Sequence, residues 1–325
     1  MYSPKRIREE IILPTEVADF VEDARAEIGD IVHGRNKRFL LVVGPCSIHD
    51  ADSAFRYAER LKELREKVPQ FLLVMRTYFE KPRTTVGWTG FITDPYLDGS
   101  FDIEEGIREA RKILIDINAL GVPCGTEFLS PFIAPFIADL ISWGAIGART
   151  TESQIHRQLA SSLPMPIGFK NSTNGDIGVA VSAIKAAQSS HTFLGIGESG
   201  SLEKVQTMGN QDAHLILRGG KIPNYSPEDI EHVQEYNLDT GIIIDCSHGN
   251  SRKDYTKQRD VCESSVDQRA SGNTSIVGVS IEGHHLAGKQ PIDVVPLNPD
   301  ISVTDACIGF EELEEMVVSS HEKFA

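Results

Sequence analysis

Phe71-Leu72-Leu73-Val74-Met75-Arg76-Thr77-Tyr78-Phe79-Glu80-Lys81-Pro82-Arg83-Thr84-Thr85 begins as an aliphatic run and ends as a cluster of cations and hydroxyls. The run 71–75 has no helical period, so it reads as a buried strand, taken here to continue to Phe79. The strand then delivers Arg76, Lys81 and Arg83, with Thr84 and Thr85 close behind. Pro82 fixes its own φ and biases Lys81 toward extended backbone. A stiff loop of cations at a strand end suits phosphate esters, because arginine offers a planar fork and lysine a compact charge. Taken alone, the stretch reads equally as a solvated basic loop. Its recurrence along the chain decides between the two readings.

The chain has 325 residues, enough for one large α/β domain or two small ones. Its net charge is −15 and its pI is near 5.1. That acidity lacks the electrostatic footprint of a nucleic-acid binder, so no nucleic-acid partner is expected. Cations that serve anionic substrates must then be gathered locally against the overall field. No apolar run approaches the length of a membrane span. Lys5, Arg6, Arg8, Glu9 and Glu10 interrupt any signal peptide, so the expectation is a cytoplasmic protein without membrane contact. The five cysteines (Cys46, Cys124, Cys246, Cys262 and Cys307) include no CxxC pair, which argues against a secreted disulfide framework.

Residues 1–14 read as a frayed tail or as an arm laid on another subunit. Val17, Phe20, Val21, Ala24, Ile28, Ile31 and Val32 have helical spacing, with Thr15 as N-cap and Gly34 as stop. Strands are expected at 39–47, 71–79, 122–128, 145–150, 166–170, 214–219, 241–247 and 276–282. Helices are expected at about 50–67, 103–120, 134–142, 153–161, 178–189, 227–236 and 253–268. The segments 191–196 and 203–207 read as an inserted β-hairpin. Strand-then-helix repetition implies a parallel sheet with right-handed crossovers, and the expected eight such units favour a (β/α)8 TIM barrel. No G-x-G-x-x-G turn supports a dinucleotide fold. The domain reading is an N-terminal arm and helix over 1–38 and a catalytic barrel over 39–325, with the hairpin inserted at about 191–207.

In such a barrel the chemistry sits at the C-terminal strand ends. Those ends read Cys46; Arg76 with Lys81 and Arg83; Glu127; Arg149; Lys170; Arg218; His248; Glu282. Any one of these has a mundane reading: a buried thiol, a surface ion pair, a snorkelling lysine. A chemically capable residue at every strand end is harder to dismiss. Arg76, Lys81, Arg83, Arg149, Lys170 and Arg218 would repel one another unless substrates bring phosphate and carboxylate groups. Cys46, His248 and Glu282, joined by Asp305, form a mixed set suited to a divalent transition metal. His284 and His285 lie past the strand and are given no role.

The motifs Gly44-Pro45-Cys46-Ser47-Ile48-His49-Asp50, 76–88, Ala145-Ile146-Gly147-Ala148-Arg149-Thr150-Thr151-Glu152-Ser153, Gly168-Phe169-Lys170-Asn171, Leu217-Arg218-Gly219-Gly220-Lys221, Asp245-Cys246-Ser247-His248-Gly249-Asn250-Ser251 and Thr304-Asp305-Ala306-Cys307 resemble the type Iα 3-deoxy-D-arabino-heptulosonate-7-phosphate (DAHP) synthases, most of all the tyrosine-sensitive members. The resemblance runs through nearly the whole chain, in order. It implies condensation of phosphoenolpyruvate with erythrose 4-phosphate, the first step of the shikimate pathway. It implies one divalent metal per subunit on Cys46, His248, Glu282 and Asp305, with Mn foremost and Fe, Co or Zn compatible. Phosphoenolpyruvate would be held by Arg76, Lys81, Arg149, Lys170 and Arg218, with Glu127 nearby; erythrose 4-phosphate by Pro82, Arg83 and Thr84. Lys81 is the expected proton donor, and Glu127 and His248 are both candidates to activate water.

Relatives of this kind are commonly inhibited by an aromatic amino acid bound between the arm, the region after Arg149 and the hairpin. Here the arm is shorter than usual, Pro164 stands where a serine is usual, and Gly195 replaces a serine of the phenylalanine-sensitive members, a position where the tyrosine-sensitive ones also have glycine. These departures imply weak or absent feedback, with tyrosine the remaining candidate effector. Thr89 replaces a lysine usual after Trp88 and is read as peripheral. A homodimer or homotetramer is expected. If Cys46 and Cys307 lie within disulfide reach, a redox metal could drive metal loss with a Cys46–Cys307 bond. The competing enzymatic reading, condensation with arabinose 5-phosphate, is disfavoured by the Lys81–Thr84 loop, which those enzymes lack. The competing non-enzymatic reading is a barrel that binds without turnover; such chains usually lose a ligand or a cation, and none is missing here.

Overall fold

The aliphatic runs at Phe39 and Phe71 lie side by side as parallel strands, Leu40 against Leu72 and Val42 against Val74. The structure is a computed structural model, and it describes residues 3–324. Helices α1 (Pro4–Glu10) and α2 (Thr15–Val32) come first. The repeat then runs β1 (Phe39–Gly44), α3 (Ala51–Lys67), β2 (Phe71–Arg76), α4 (Ile103–Ala119), β3 (Cys124–Glu127), α5 (Ala134–Ile137), β4 (Trp143–Ile146), α6 (Gln154–Ser162), β5 (Ile167–Lys170) and α7 (Gly178–Gln188). After it come the hairpin strands β6 (Thr192–Ile196) and β7 (Leu202–Gln206), then β8 (His214–Leu217), α8 (Pro227–Gln234), β9 (Ile242–Asp245), α9 (Gln258–Ala270), β10 (Ile276–Glu282) and α10 (Phe310–Glu322). The parallel strands close in the order β1-β10-β9-β8-β5-β4-β3-β2, and β6 and β7 form a separate antiparallel pair. The (β/α)8 barrel with an inserted hairpin is therefore as expected.

Side chains on a strand alternate between its two faces. Phe39, Leu41 and Val43 of β1 pack outward under the helices with Leu73, Met75, Leu215, Ile244 and Ile281. Leu40 and Val42 point inward and meet Leu72, Val74, Trp143, Ile216, Ile243 and Val277. Ile28, Ile31 and Val32 of α2 join that inner cluster and close the lower end of the barrel. The Gly241 N–H donates to Val32 O at 2.7 Å and fixes the end of α2 there.

Several expectations shift. From Ser3 onward the arm is helical rather than frayed: Ser3 caps α1 by accepting from Arg6 N, and Pro4 opens the helix. Buried Ile7 and the contact of Arg8 Nη1 with Glu198 at 2.7 Å hold α1 on its own chain. Pro14, not Thr15, precedes the first turn of α2. The expected helix 134–142 is a single turn of α5 followed by 3₁₀ residues Ala138–Leu140, because the fourth strand starts early, at Trp143. That strand stops at Ile146, so the expected strand 145–150 is mostly a turn in which Thr150 and Thr151 N–H both bond Gly147 O. The expected helix 253–268 divides into 3₁₀ residues Tyr255–Lys257 and α9. Helix α10, absent from the sequence reading, buries Phe310, Leu313, Met316 and Val317.

A polar pair is buried low in the barrel. Trp143 Nε1–H donates to His214 Nε2 at 3.1 Å, and His214 Nδ1 lies 2.8 Å from Asp212 O. Burial pushes the His214 ring down to about 4, while an unfolded histidine titrates near 6.5. Between those values the unfolded chain binds the extra proton, so stability falls as pH drops from about 6.5 toward 4, by roughly 3 kcal/mol in total. His214→Gln keeps an acceptor for Trp143 without the titration. Urea unfolding followed by tryptophan fluorescence should show a shallower loss between pH 7 and 5 in this variant; parallel pH profiles would exclude the assignment.

Candidate active site

The two-residue alternation continues past the apolar layer into a charged one. Two residues beyond Val74, Gly125, Gly168, Ile216, Ile243 and Ser280 stand Arg76, Glu127, Lys170, Arg218, Asp245 and Glu282. Each of them is buried. Arg76 Nη2 pairs with Glu282 Oε1 at 3.1 Å, Nη1 donates to Ser280 Oγ and Nε to Pro45 O. This crossing passes over Gly44, where a Cβ would come within 3.1 Å of Arg76 N and φ is +150°. Lys170 Nζ donates to Glu127 Oε2 at 2.9 Å and lies 3.9 Å from Asp245 Oδ2.

Charge sets the ionisation of this layer. Burial opposes the charged form of Glu127, but Lys170 outweighs it and holds the carboxyl below its ordinary value. Burial acts the same way on Glu282, where His248, Arg76 and Lys81 prevail and bring it down to about 2. Burial works against Lys170 too, yet the carboxylates of Glu127 and Asp245 keep it firmly protonated. For Arg218 burial dominates and lowers its value.

The expected metal ligands divide. Cys46 Sγ and one oxygen each of Glu282 and Asp305 lie within 4.8 Å of one another. Cys46 Sγ is 3.6 Å from Asp305 Oδ2 and accepts from Lys81 Nζ at 3.0 Å. One sulfur and two carboxylates, two of the three residues buried, form a donor set that fits a divalent transition metal. His248 is outside this group: its Nδ1 is 2.9 Å from Asp245 Oδ2, which leaves Nε2 as its other nitrogen. Its backbone sits at φ +53°, a left-handed conformation unusual for a side-chain-bearing residue. Burial pushes the Cys46 thiol up, with Lys81 opposing. Cys307 is likewise buried, and both thiols are free.

The mouth carries cations of another kind. Arg149 is exposed and reaches the Lys81–Thr84 loop, donating to Thr84 Oγ1 at 3.2 Å and Pro82 O at 3.5 Å. Arg83 Nε donates to Trp88 O at 2.7 Å and Arg218 Nη1 to Gly219 O at 3.2 Å. Among the described residues, none of Arg83, Arg149 and Arg218 has a carboxylate partner, in contrast to Arg76, Lys81 and Lys170.

Sequence reasoning missed several groups. Asp245 and Ser280 share the inward parity of Arg76, and that signal was available. Ser247 Oγ donates to Glu282 Oε2 at 2.9 Å. Asn171, Asn224 and Asn250 staple the strand ends: Asn171 Oδ1 accepts from Arg218 N at 2.7 Å, Asn224 Oδ1 from Gly219 N at 2.7 Å, and Asn250 Nδ2 donates to Leu217 O and Asp245 O. No spacing rule announces such a network, because its partners are backbone atoms of other strands.

Paired charges beneath unpaired guanidinium groups, beside a thiol–carboxylate triad, define this barrel as an enzyme for small anionic substrates. The sequence model of the DAHP synthetase I family matches residues 13–318, and the chain belongs to that family. It is 46% identical over 329 residues to the Tyr-sensitive phospho-2-dehydro-3-deoxyheptonate aldolase of Escherichia coli K12, covering 99% of this chain and 92% of that one. It is 49% identical over 307 residues to the Trp-sensitive enzyme of the same organism, covering 93% of this chain and 88% of that one. A solved phospho-2-dehydro-3-deoxyheptonate aldolase from Francisella tularensis superposes with a TM-score of 0.96 at 46% identity, covering 100% of this chain and 98% of that one.

Removing Lys170 leaves Glu127 and Asp245 buried without their cation. Lys170→Met should cost about 3–5 kcal/mol in urea unfolding, and adding Glu127→Gln should recover part of the loss. Equal stability of wild type and Lys170→Met would contradict the pairing.

Proposed function

We propose that this barrel condenses phosphoenolpyruvate with D-erythrose 4-phosphate and water to give DAHP and phosphate, the first step of the shikimate pathway to aromatic amino acids. The observation that carries the reading is the set of guanidinium groups of Arg83, Arg149 and Arg218, unpaired among the described residues in an acidic protein. Free cations at a barrel mouth are stabilised by substrate phosphate and carboxylate groups.

Arg76, Lys81, Arg149, Lys170 and Arg218 receive phosphoenolpyruvate, and Pro82, Arg83 and Thr84 receive the sugar phosphate. The bond between Arg149 and Thr84 joins the two sets, so filling one orders the other. The methylene carbon of phosphoenolpyruvate attacks the aldehyde carbon and forms the new C–C bond. Lys81, kept protonated by Cys46, Glu282 and Asp305 against its burial, gives a proton to the growing alkoxide. Water adds at C2, and the C–O bond to phosphate breaks with its electron pair. Glu127, held ionised by Lys170, and His248 are the candidates to take the water proton; with Nδ1 turned to Asp245, His248 has one nitrogen left and serves either this step or the metal. Cys46, His248, Glu282 and Asp305 would hold one divalent metal, Mn foremost and Fe, Co or Zn compatible, which supplies Lewis acidity at the aldehyde oxygen.

Residues 1–38 serve subunit contacts and 39–325 catalysis. A homodimer or homotetramer is supported by Leu194, Leu202 and Met208, which leave large apolar side chains exposed on and beside the hairpin. Sedimentation equilibrium should give a closed oligomer that Leu194→Lys with Leu202→Lys weakens; a wild-type monomer would reject it. No described helix is long and apolar enough to cross a membrane. The cytoplasm is the proposed compartment, in keeping with free thiols throughout. Feedback is weak or absent, with tyrosine the candidate effector: a Cβ at Gly195 would meet Val205 Cγ2 at 2.7 Å, so the hairpin is already filled there.

Chelator-stripped protein should consume phosphoenolpyruvate only after Mn²⁺ is restored, and only with erythrose 4-phosphate, not arabinose 5-phosphate. Lys81→Met should fold normally and lose at least a hundredfold in kcat, the usual scale of proton transfer. Arg218→Ala should raise the phosphoenolpyruvate KM strongly. Folded, metal-loaded wild-type protein inactive with either sugar would overturn the reaction. Near-normal kcat in Lys81→Met would overturn that role, and tyrosine added to the same assay reads the feedback.

A further inference from the structure

Tyr78 belongs to no set described so far, yet it stands at the centre of the charged layer. The chain stays extended beyond β2: Thr77 N–H bonds Gly125 O at 2.7 Å, and Tyr78 O accepts from Ile48 N at 2.9 Å. Tyr78 therefore points inward, as Arg76 does two residues before it. The Arg76 guanidinium carbon lies 3.9 Å from the ring centroid and Lys170 Nζ 5.9 Å from it. The side chain is 3% exposed, and its hydroxyl has no hydrogen-bond partner among the described residues.

The neighbours explain why. Glu127 Oε2 is taken by Lys170, and Asp245, drawn to Lys170 and His248, makes no hydrogen bond with the Tyr78 hydroxyl. Arg76 and Lys170 are donors only and cannot accept its proton. Burial raises the phenol, so at neutral pH it remains a neutral O–H donor. A buried donor with no acceptor in reach of a hydrogen bond is costly unless something brings one to it. The anion that Arg76 and Lys170 receive is such an acceptor.

We infer that Tyr78 is a further substrate-binding residue: its ring seats the Arg76 guanidinium, and its hydroxyl donates a hydrogen bond to the anionic end of the bound phosphoenol substrate. The inference rests on the proposed phosphoenolpyruvate site. The two halves of the role separate by substitution, since Tyr78→Phe keeps the ring and Tyr78→Leu removes both.

The test is calorimetric titration of Mn²⁺-loaded protein with phosphoenolpyruvate in the absence of sugar, on wild type, Tyr78→Phe, Tyr78→Leu and Arg218→Ala. Tyr78→Phe should weaken binding roughly tenfold and Tyr78→Leu about a hundredfold. In Tyr78→Phe both the Tm and the KM for erythrose 4-phosphate should stay at the wild-type value, which a general structural disturbance would shift as well. Wild-type affinity in Tyr78→Phe overturns the inference, and this variant decides the matter even if Tyr78→Leu does not fold. Unchanged affinity in Arg218→Ala, or no binding by wild type, locates the failure in the phosphoenolpyruvate reading itself and removes the ground for Tyr78 with it.

Discussion

Mutual neutralisation of ionisable side chains inside the barrel is the constraint from which the rest of the structure follows. A carboxylate or ammonium moved alone into that interior would cost several kcal/mol. Arg76 with Glu282 and Lys170 with Glu127 and Asp245 meet this cost in pairs, each bridging different strands. The pairs also fix positions. Glu282 is held by Arg76 on one oxygen and Ser247 on the other, so the carboxylate beside Cys46 has little freedom to turn. Asp245 is shared between Lys170 and His248, which ties the Lys170–Glu127 half of the site to the half that faces Cys46.

The pairing sorts the cations by task. Those with carboxylate partners lie deep and build the site; those without lie at or near the mouth and remain available. In a chain of net charge −15 that distinction is more informative than the number of arginines. A cation kept free of surrounding acids is held there by geometry, here by the asparagine staples that position the Arg218 backbone and by the loop that accepts from Arg149.

The fold was legible because parity and hydrophobic runs are local signals. The runs at Phe39, Phe71 and Ile276 gave strands, and the residues at the strand ends gave Arg76, Lys170, Arg218 and Glu282. Parity also pointed to Asp245 and Tyr78, but attention to strand ends as punctuation, rather than to every second residue, passed over both. The error at Arg149 has the opposite origin. The residues after Ile146 look extended by composition, while the backbone turns back on Gly147 O and carries Arg149 to the rim. The α1 helix was signalled by Ser3 and Pro4, yet one short helix is stable only through Ile7 and the contacts to Glu198, which no local reading contains. The thiol of Cys46, the carboxylates of Glu282 and Asp305, and the asparagine staples meet across the whole sequence, so their proximity is a property of the closed barrel alone.

The apolar stopper formed by Ile28, Ile31 and Val32 gives the barrel one open end. Arg76 and Lys170 lie far down this vessel, whereas Arg83 and Thr84 stand in solvent at its lip. A vessel with one opening imposes a sequence on its traffic: what binds at the bottom must arrive before, and cannot leave past, what binds at the lip.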